Sequence, residues 1–119
     1  MAEFYGFARD RAAARLAMDL AAYACAVEPA DVSARTRGSA EAAAARQLAM
    51  YLAHVATGMS LSRVAYAFGR DRSTVAHACR AIEDRRDDPA FDAEVEMLED
   101  VLREAPPPGG VAQLAMARR

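Results

Sequence analysis

The stretch from Leu61 to Arg80 constrains the fold most, because it contains two short helical patterns joined by a single glycine. Ser60 is a typical N-cap for the first of these helices. Gly69 stands where a tight turn between helices favours a positive φ angle, which glycine adopts without steric cost. The second helix is predicted to begin near Arg72 or Ser73. This spacing indicates a helix-turn-helix unit. Its small residue in the first helix is Ala65, its turn glycine is Gly69, and its β-branched residue in the second helix is Val75.

The rest of the chain also has helical periodicity, and no segment alternates apolar and polar residues long enough to predict a strand. We therefore expect a compact all-α domain over residues 1–104 with the helix-turn-helix at its centre. Pro106 to Gly110 predicts a linker, and residues 105–119 as a whole are expected to form a flexible tail. The first predicted helix covers Arg9–Val27, with Leu16, Leu20, Tyr23 and Val27 facing inward, and a short helix follows at Pro29–Ser33. The next covers Ala40–Thr57, with Leu48, Tyr51, Leu52 and Val55 facing inward. In a closing helix, the residues predicted to face inward are Phe91, Val95, Leu98 and Leu102.

Charge is unevenly distributed, although the net charge is only −2. Residues 60–86 contain six arginines against three acidic residues, whereas residues 87–104 contain eight acidic residues against one arginine. The closing helix is therefore expected to have an acidic outer face. A chain with this division can present a cationic surface to nucleic acid despite its negative total.

Several classes of function find no support in the sequence. Cys25 and Cys79 match no metal or redox spacing, which indicates small apolar residues in a reducing, cytoplasmic setting. Neither His54 nor His77 has a clear nucleophile partner, so we expect no enzyme, no cofactor, no metal and no small-molecule substrate. No signal peptide or membrane span is predicted, and therefore no membrane partner.

The second helix carries the candidate contacts to DNA, because a recognition helix places its N-terminal residues against base edges in the major groove. Arginine pairs with guanine, and threonine contacts a thymine methyl or a phosphate. Asp71 either caps the helix, orients Arg72 or accepts a hydrogen bond from a cytosine amino group. The candidate base-reading residues are Arg70, Asp71, Arg72, Ser73, Thr74 and His77. The candidate phosphate contacts around them are Ser60, Arg63, Arg80 and Arg85, with Arg86 as an alternative to Arg85.

From about Arg15 to Leu102 the sequence resembles the C-terminal DNA-binding domain, domain IV, of DnaA-type bacterial replication initiators, a TrpR-like helical fold. The motifs are Arg-Gln-Leu-Ala-Met-Tyr-Leu-Ala from Arg46, Ser-Leu-Ser-Arg-Val-Ala-Tyr-Ala-Phe-Gly from Ser60, Arg-Asp-Arg-Ser-Thr-Val from Arg70 and His-Ala-Cys-Arg-Ala-Ile-Glu from His77. The resemblance implies a domain that reads an asymmetric DNA box with Arg70, Asp71, Ser73 and Thr74.

Three departures from the family's pattern predict an altered target. A single glycine, Gly69, precedes Arg70, and Arg72 stands where the family has histidine. The family's minor-groove arginine corresponds to alanine, near Ala43 or Ala44, so Arg35, Arg37 or Arg46 is expected to substitute. The chain has no lysine and no phosphate-binding loop of the Gly-x-x-x-x-Gly-Lys type, and we expect that it is not itself a replication initiator.

The function we expect is a nucleoid-associated, sequence-specific double-stranded DNA-binding regulator of transcription. The sequence looks like the small DnaA-like regulators of alphaproteobacteria, including the DNA-binding part of gene transfer agent activators. One alternative is a regulator of replication that competes for initiator boxes. Another alternative is an adaptor that binds protein. The protein partner we expect is RNA polymerase or another DNA-binding protein, bound at the acidic closing helix or the tail. Whether the domain acts as a monomer or a dimer stays open.

Overall fold

The computed structural model describes residues 2–35 and 38–117, with only the backbone described for residues 2–5, 113, 116 and 117. Within those residues every regular element is a helix, which confirms the all-α prediction. None of these helices combines the length and apolar character needed to span a lipid bilayer. The elements are α1 (Ala2–Cys25), α2 (Pro29–Ser33), α3 (Ala40–Thr57), α4 (Leu61–Phe68), α5 (Arg72–Arg85), α6 (Pro89–Glu104) and α7 (Gly110–Ala117).

Helix α3 lies at the centre and packs against α1, α2, α4, α5 and α6. Its start is defined by Ser39, whose side chain accepts a hydrogen bond from the amide of Ala42, and its end by Gly58 in the left-handed conformation. Four of the nine residues it buries are alanines, which let its neighbours approach closely. The largest fully buried side chains of the domain are Val32, Met50, Leu52, Met59, Val64, Val75, Ile82 and Val95.

Helix α1 differs from its prediction at both ends and on one face. It begins at Ala2 rather than Arg9, and it ends at Cys25. Tyr23 was expected to face inward, but it is 86% exposed. The buried stripe of α1 consists of alanines, and Tyr23 lies two residues from Ala21, about 200° around the helix. The predictions for Leu16, Leu20 and Val27 are confirmed, since these side chains are partly buried against the core, and only the prediction for Tyr23 is wrong.

The C-terminal segment also differs from its prediction. Where a flexible tail was expected, the backbone forms α7 after the Pro106–Gly109 connection. Val111 and Leu114 on this helix are exposed, so α7 contributes neither of them to the core. The proposed division between residues 1–104 and 105–119 stays a prediction.

A polar cluster fastens α6 to the centre of the domain. Arg86, which ends α5, donates from Nη1 to the Tyr51 hydroxyl and to Glu99 Oε1, both at 3.0 Å. Its Nε donates to Asp92. Burial lowers the pKa of the Arg86 guanidinium, but the hydrogen bonds to Asp92, Tyr51 and Glu99 outweigh burial and raise that pKa above its usual value.

Two expectations about charge are corrected by this cluster. Glu99 was expected on the acidic outer face of the closing helix, yet it is 4% exposed and ion-paired. Arg86 was an alternative phosphate contact, but its guanidinium is occupied by partners within the domain. Both residues are therefore structural.

We predict that Glu99→Ala lowers the free energy of unfolding by about 3 kcal/mol, because it leaves the largely buried Arg86 guanidinium without one of its two carboxylates. Glu96→Ala is the matched control, since Glu96 is exposed on the same helix. Its effect should stay within about 0.5 kcal/mol. Urea denaturation followed by circular dichroism measures both. Equal effects of the two substitutions would contradict the structural role of Glu99.

Candidate nucleic-acid interface

The turn between α4 and α5 has the geometry that the sequence predicts. The Ser60 hydroxyl accepts a hydrogen bond from the amide of Arg63 at 3.2 Å, which confirms Ser60 as the N-cap of α4. Gly69 ends α4 with a φ of +65°, which confirms the left-handed residue in the turn. The amide of Arg70 then donates to the carbonyl of Ala65 at 2.9 Å, and α5 begins two residues later.

Helix α5 places one face in the core and the other in solvent. Val75, Ala78 and Ile82 are buried, as predicted. The predicted base-reading residues on the opposite face are exposed, and so is Arg80 one turn further along. The exposed residues of this face are Arg72, Ser73, Thr74, His77 and Arg80.

The first turn of α5 has no side-chain cap. Asp71 occupies the N-cap position, but its carboxylate makes no capping hydrogen bond. The capping role considered for Asp71 is therefore wrong. Its carboxylate is exposed, and its other predicted roles stay predictions. The first turn of α5 also contains no acidic residue. Uncapped amides at a helix N-terminus carry partial positive charge, which favours an approaching anion.

Arg70 takes a different place from the other predicted base-reading residues. Its Nη2 donates to the carbonyl of Ala34 at 2.5 Å, and its Nη1 donates to the carbonyl of Arg35 at 3.3 Å. Arg70 thus fastens the loop after α2 to the turn before α5. One N–H of each terminal nitrogen is thus engaged within the chain, so a bidentate contact to a base competes with these carbonyls for the guanidinium.

Arg46 corrects the prediction of a substitute minor-groove arginine. It is only 8% exposed, with Nε donating to the Val32 carbonyl at 2.8 Å and Nη2 to the Asp31 carbonyl at 3.0 Å. Burial lowers the pKa of its guanidinium, and the nearby charge of Arg70 lowers it further. Arg46 therefore holds α2 against α3 and does not face DNA.

Arg35, a second predicted minor-groove residue, lies in the loop that Arg70 holds and is exposed beside the turn. Arg37 lies outside the described residues. Of Arg35 and Arg46, the two candidates that the structure describes, Arg35 is the exposed one.

The predicted phosphate contacts fall into two groups. Arg63 forms a bidentate ion pair with Asp10, in which Nε donates to Oδ2 at 2.9 Å. The hydrogen bond to Asp10 raises the pKa of the Arg63 guanidinium. This pair joins α4 to α1. Arg85 is exposed, and its guanidinium lies over the Phe91 ring, 4.0 Å from the centroid. Arg80 and Arg85 are therefore better placed than Arg63 for an external anion.

Two arginines that the sequence analysis did not select lie near the turn. Arg11 and Arg15 of α1 are exposed and line the same cleft as Arg35 and Arg70. The signal that could have found them is their spacing, since residues four apart on a helix share one face. In the part of the chain that the structure describes, no group of three or more histidine, cysteine or acidic side chains is arranged to hold a metal ion.

A short helix, a glycine turn and a second helix with an exposed face containing arginine, serine and threonine define a helix-turn-helix DNA-binding domain. The family described as the bacterial DnaA protein helix-turn-helix matches residues 17–82. The chain belongs to this family. A solved structure described as a DNA replication initiation factor is 30% identical, with a TM-score of 0.70. That similarity covers 81% of this chain and 30% of the other, so the chain spans under a third of the length of that factor.

We predict that Arg46→Ala destabilises the fold by about 2 kcal/mol, because it leaves two backbone carbonyls without their charged donor. Arg80→Ala is the control, since Arg80 is exposed on α5, and its effect on unfolding should stay within about 0.5 kcal/mol. Chemical denaturation measures both values. A stability unchanged by Arg46→Ala would show that the contacts to α2 contribute little.

Proposed function

We propose that this protein is a sequence-specific reader of double-stranded DNA that regulates transcription. The observation that carries the proposal is the exposed face of α5, where Arg72, Ser73, Thr74 and His77 follow one another from an uncapped helix start. A helix of this width enters the major groove, and these side chains supply donors and acceptors for base edges.

The first residues of α5 are assigned to base reading. Arg72 stands at the first helical position with an exposed guanidinium, which pairs in a bidentate manner with the O6 and N7 atoms of guanine. Ser73 and Thr74 are assigned to a phosphate or a thymine methyl. Because DnaA-type initiators have histidine at the position of Arg72, the preferred DNA box is proposed to differ from theirs.

Transcription control is supported by the resemblance to the DNA-binding part of gene transfer agent activators, and we propose genes of that kind as targets. The similarity to a replication initiation factor favours a second candidate, a regulator that occupies initiator boxes near an origin. Either function associates the protein with the nucleoid.

The surface proposed for a protein partner is the outer face of α6. Glu94, Glu96, Asp100 and Glu104 are exposed there, and DNA repels such a face. Met97 and Val101 are exposed on the same helix and add apolar contact area. RNA polymerase or another DNA-binding protein is the proposed partner, with the exposed side chains of α7 as a second contact.

We expect Arg72→Ala to weaken binding to the preferred site by about 1–3 kcal/mol and to relax the preference at one base pair. Arg80→Ala is the matched control, because a phosphate contact weakens binding to all sequences and reduces the salt dependence. Affinities for a set of single-base variants of the site, measured at two salt concentrations, separate the two patterns. Uniform weakening by Arg72→Ala would exclude a base-reading role for this side chain.

Genome-wide mapping of bound sites tests the regulatory role. Occupied promoters, with transcripts that change when the gene is deleted, are the expected result. Occupancy confined to an origin would support the replication candidate instead. Selection from a pool of random duplexes provides the biochemical counterpart, and a pool that shows no enriched sequence would leave a protein-binding adaptor as the function.

A further inference from the structure

A cationic cleft lies on the side of the helix-turn-helix that faces α1 and α2. Its volume is about 580 Å³, and α1, α2, the following loop and the turn before α5 contribute its walls. Asp19 is the one acidic residue among those that line it. The five basic residues, which we call the arginine cleft, are Arg11, Arg15, Arg35, Arg46 and Arg70.

The positive charge of the arginine cleft is not neutralised within the domain. Among the described residues, the ion pairs to carboxylates involve other arginines and none of these five. Arg46 and Arg70 are held by backbone carbonyls, which fix their positions without cancelling their charge. Their mutual repulsion contributes to the lowered pKa of Arg46. An anion in the cleft would relieve this repulsion.

Aromatic rings form one wall of the same cleft. Phe7 of α1 and Tyr66 of α4 meet edge to face, with ring centroids 4.8 Å apart. Tyr66 is nevertheless 73% exposed, so much of its ring is open to solvent beside the arginines. Phe68 also lines the cleft. A planar base can stack on an exposed aromatic ring while its phosphates bind guanidinium groups.

We propose that the arginine cleft is a second anion site, which binds the phosphates of a free nucleotide with its base against Tyr66. Phosphate also occurs in the DNA backbone, but the cleft is concave and its floor contains the buried Arg46, which suits a small ligand. Arg11 and Arg15 lie on α1, outside the face of α5 assigned to bases. Arg35 and Arg70 are also predicted DNA contacts, so the test relies on Arg11 and Arg15, whose substitution distinguishes a failure of nucleotide binding from a failure of DNA reading.

The test is isothermal titration calorimetry of the full chain at low ionic strength, with sodium tripolyphosphate and with ATP as probes. The double variant Arg11→Gln/Arg15→Gln keeps the side-chain stems and removes two charges. We expect it to bind both probes at least about tenfold more weakly than the unmodified chain does. Arg103→Gln, an exposed arginine of α6, is the matched control and should leave both affinities unchanged.

Stacking is tested separately with Tyr66→Ala. The unmodified chain should bind ATP more tightly than tripolyphosphate, and Tyr66→Ala should remove that difference while leaving tripolyphosphate binding intact. Chemical-shift mapping of the unmodified chain with ATP requires no variant. The largest shifts are expected at Arg11, Arg15 and Tyr66, rather than along the exposed face of α5.

Three results would overturn the proposal. One is the absence of saturable binding of either probe by the unmodified chain. Another is an equal loss in the Arg103→Gln control, which would indicate a general charge effect. The last is a loss of affinity of the double variant for a short mixed-sequence DNA duplex, together with no binding of tripolyphosphate or ATP by the unmodified chain. That result would assign the cleft to the DNA backbone.

Discussion

The close packing of α3 against α1 through alanine is the constraint on which the other features of the domain depend. Ala14, Ala17 and Ala21 of α1 and Ala42, Ala45 and Ala49 of α3 are all buried, which allows the two helix backbones to approach. Alanine buries little apolar surface, so this contact supplies less stabilisation per residue than leucine or phenylalanine would. Short elements packed around such a centre need additional stabilising contacts.

Arginine supplies these contacts at four places, one of which is the Arg63–Asp10 pair between α4 and α1. Arg46 holds α2 through two carbonyls, Arg70 holds the loop after α2, and Arg86 holds α6 through Glu99 and Tyr51. Because the guanidinium group has several donors in a rigid plane, one side chain satisfies groups from two or more elements at once. The arginines of this domain are therefore of two kinds, those that join elements and those that face solvent. Arg46 and Arg70 are of the first kind and also line the arginine cleft, where Arg11 and Arg15 are exposed.

Sequence patterns were sufficient wherever the determining contacts are local. The helix-turn-helix was predictable because Ser60 and Gly69 act within a few residues of themselves, and α5 because its buried positions follow helical periodicity. The errors concern long-range partners. Arg46 meets Val32 across 14 positions, and Arg86 meets Tyr51 across 35, so neither burial is visible in a local window. On α1, Leu16 and Leu20 pack against the core as predicted, but Tyr23 was misplaced because alanine gives a weak apolar signal beside it.

The position of Arg70 joins two surfaces that the sequence presents as separate. It follows the turn glycine directly and precedes the first residue of α5 by two positions, while its side chain holds the carbonyls of Ala34 and Arg35. A movement of the loop after α2 would therefore be transmitted through the Arg70 side chain to the backbone at the start of α5. The same guanidinium lies at the edge of the arginine cleft. The Arg70 guanidinium is therefore the group at which the loop after α2, the arginine cleft and the start of α5 meet, and an anion in the cleft would compete with the two carbonyls for it.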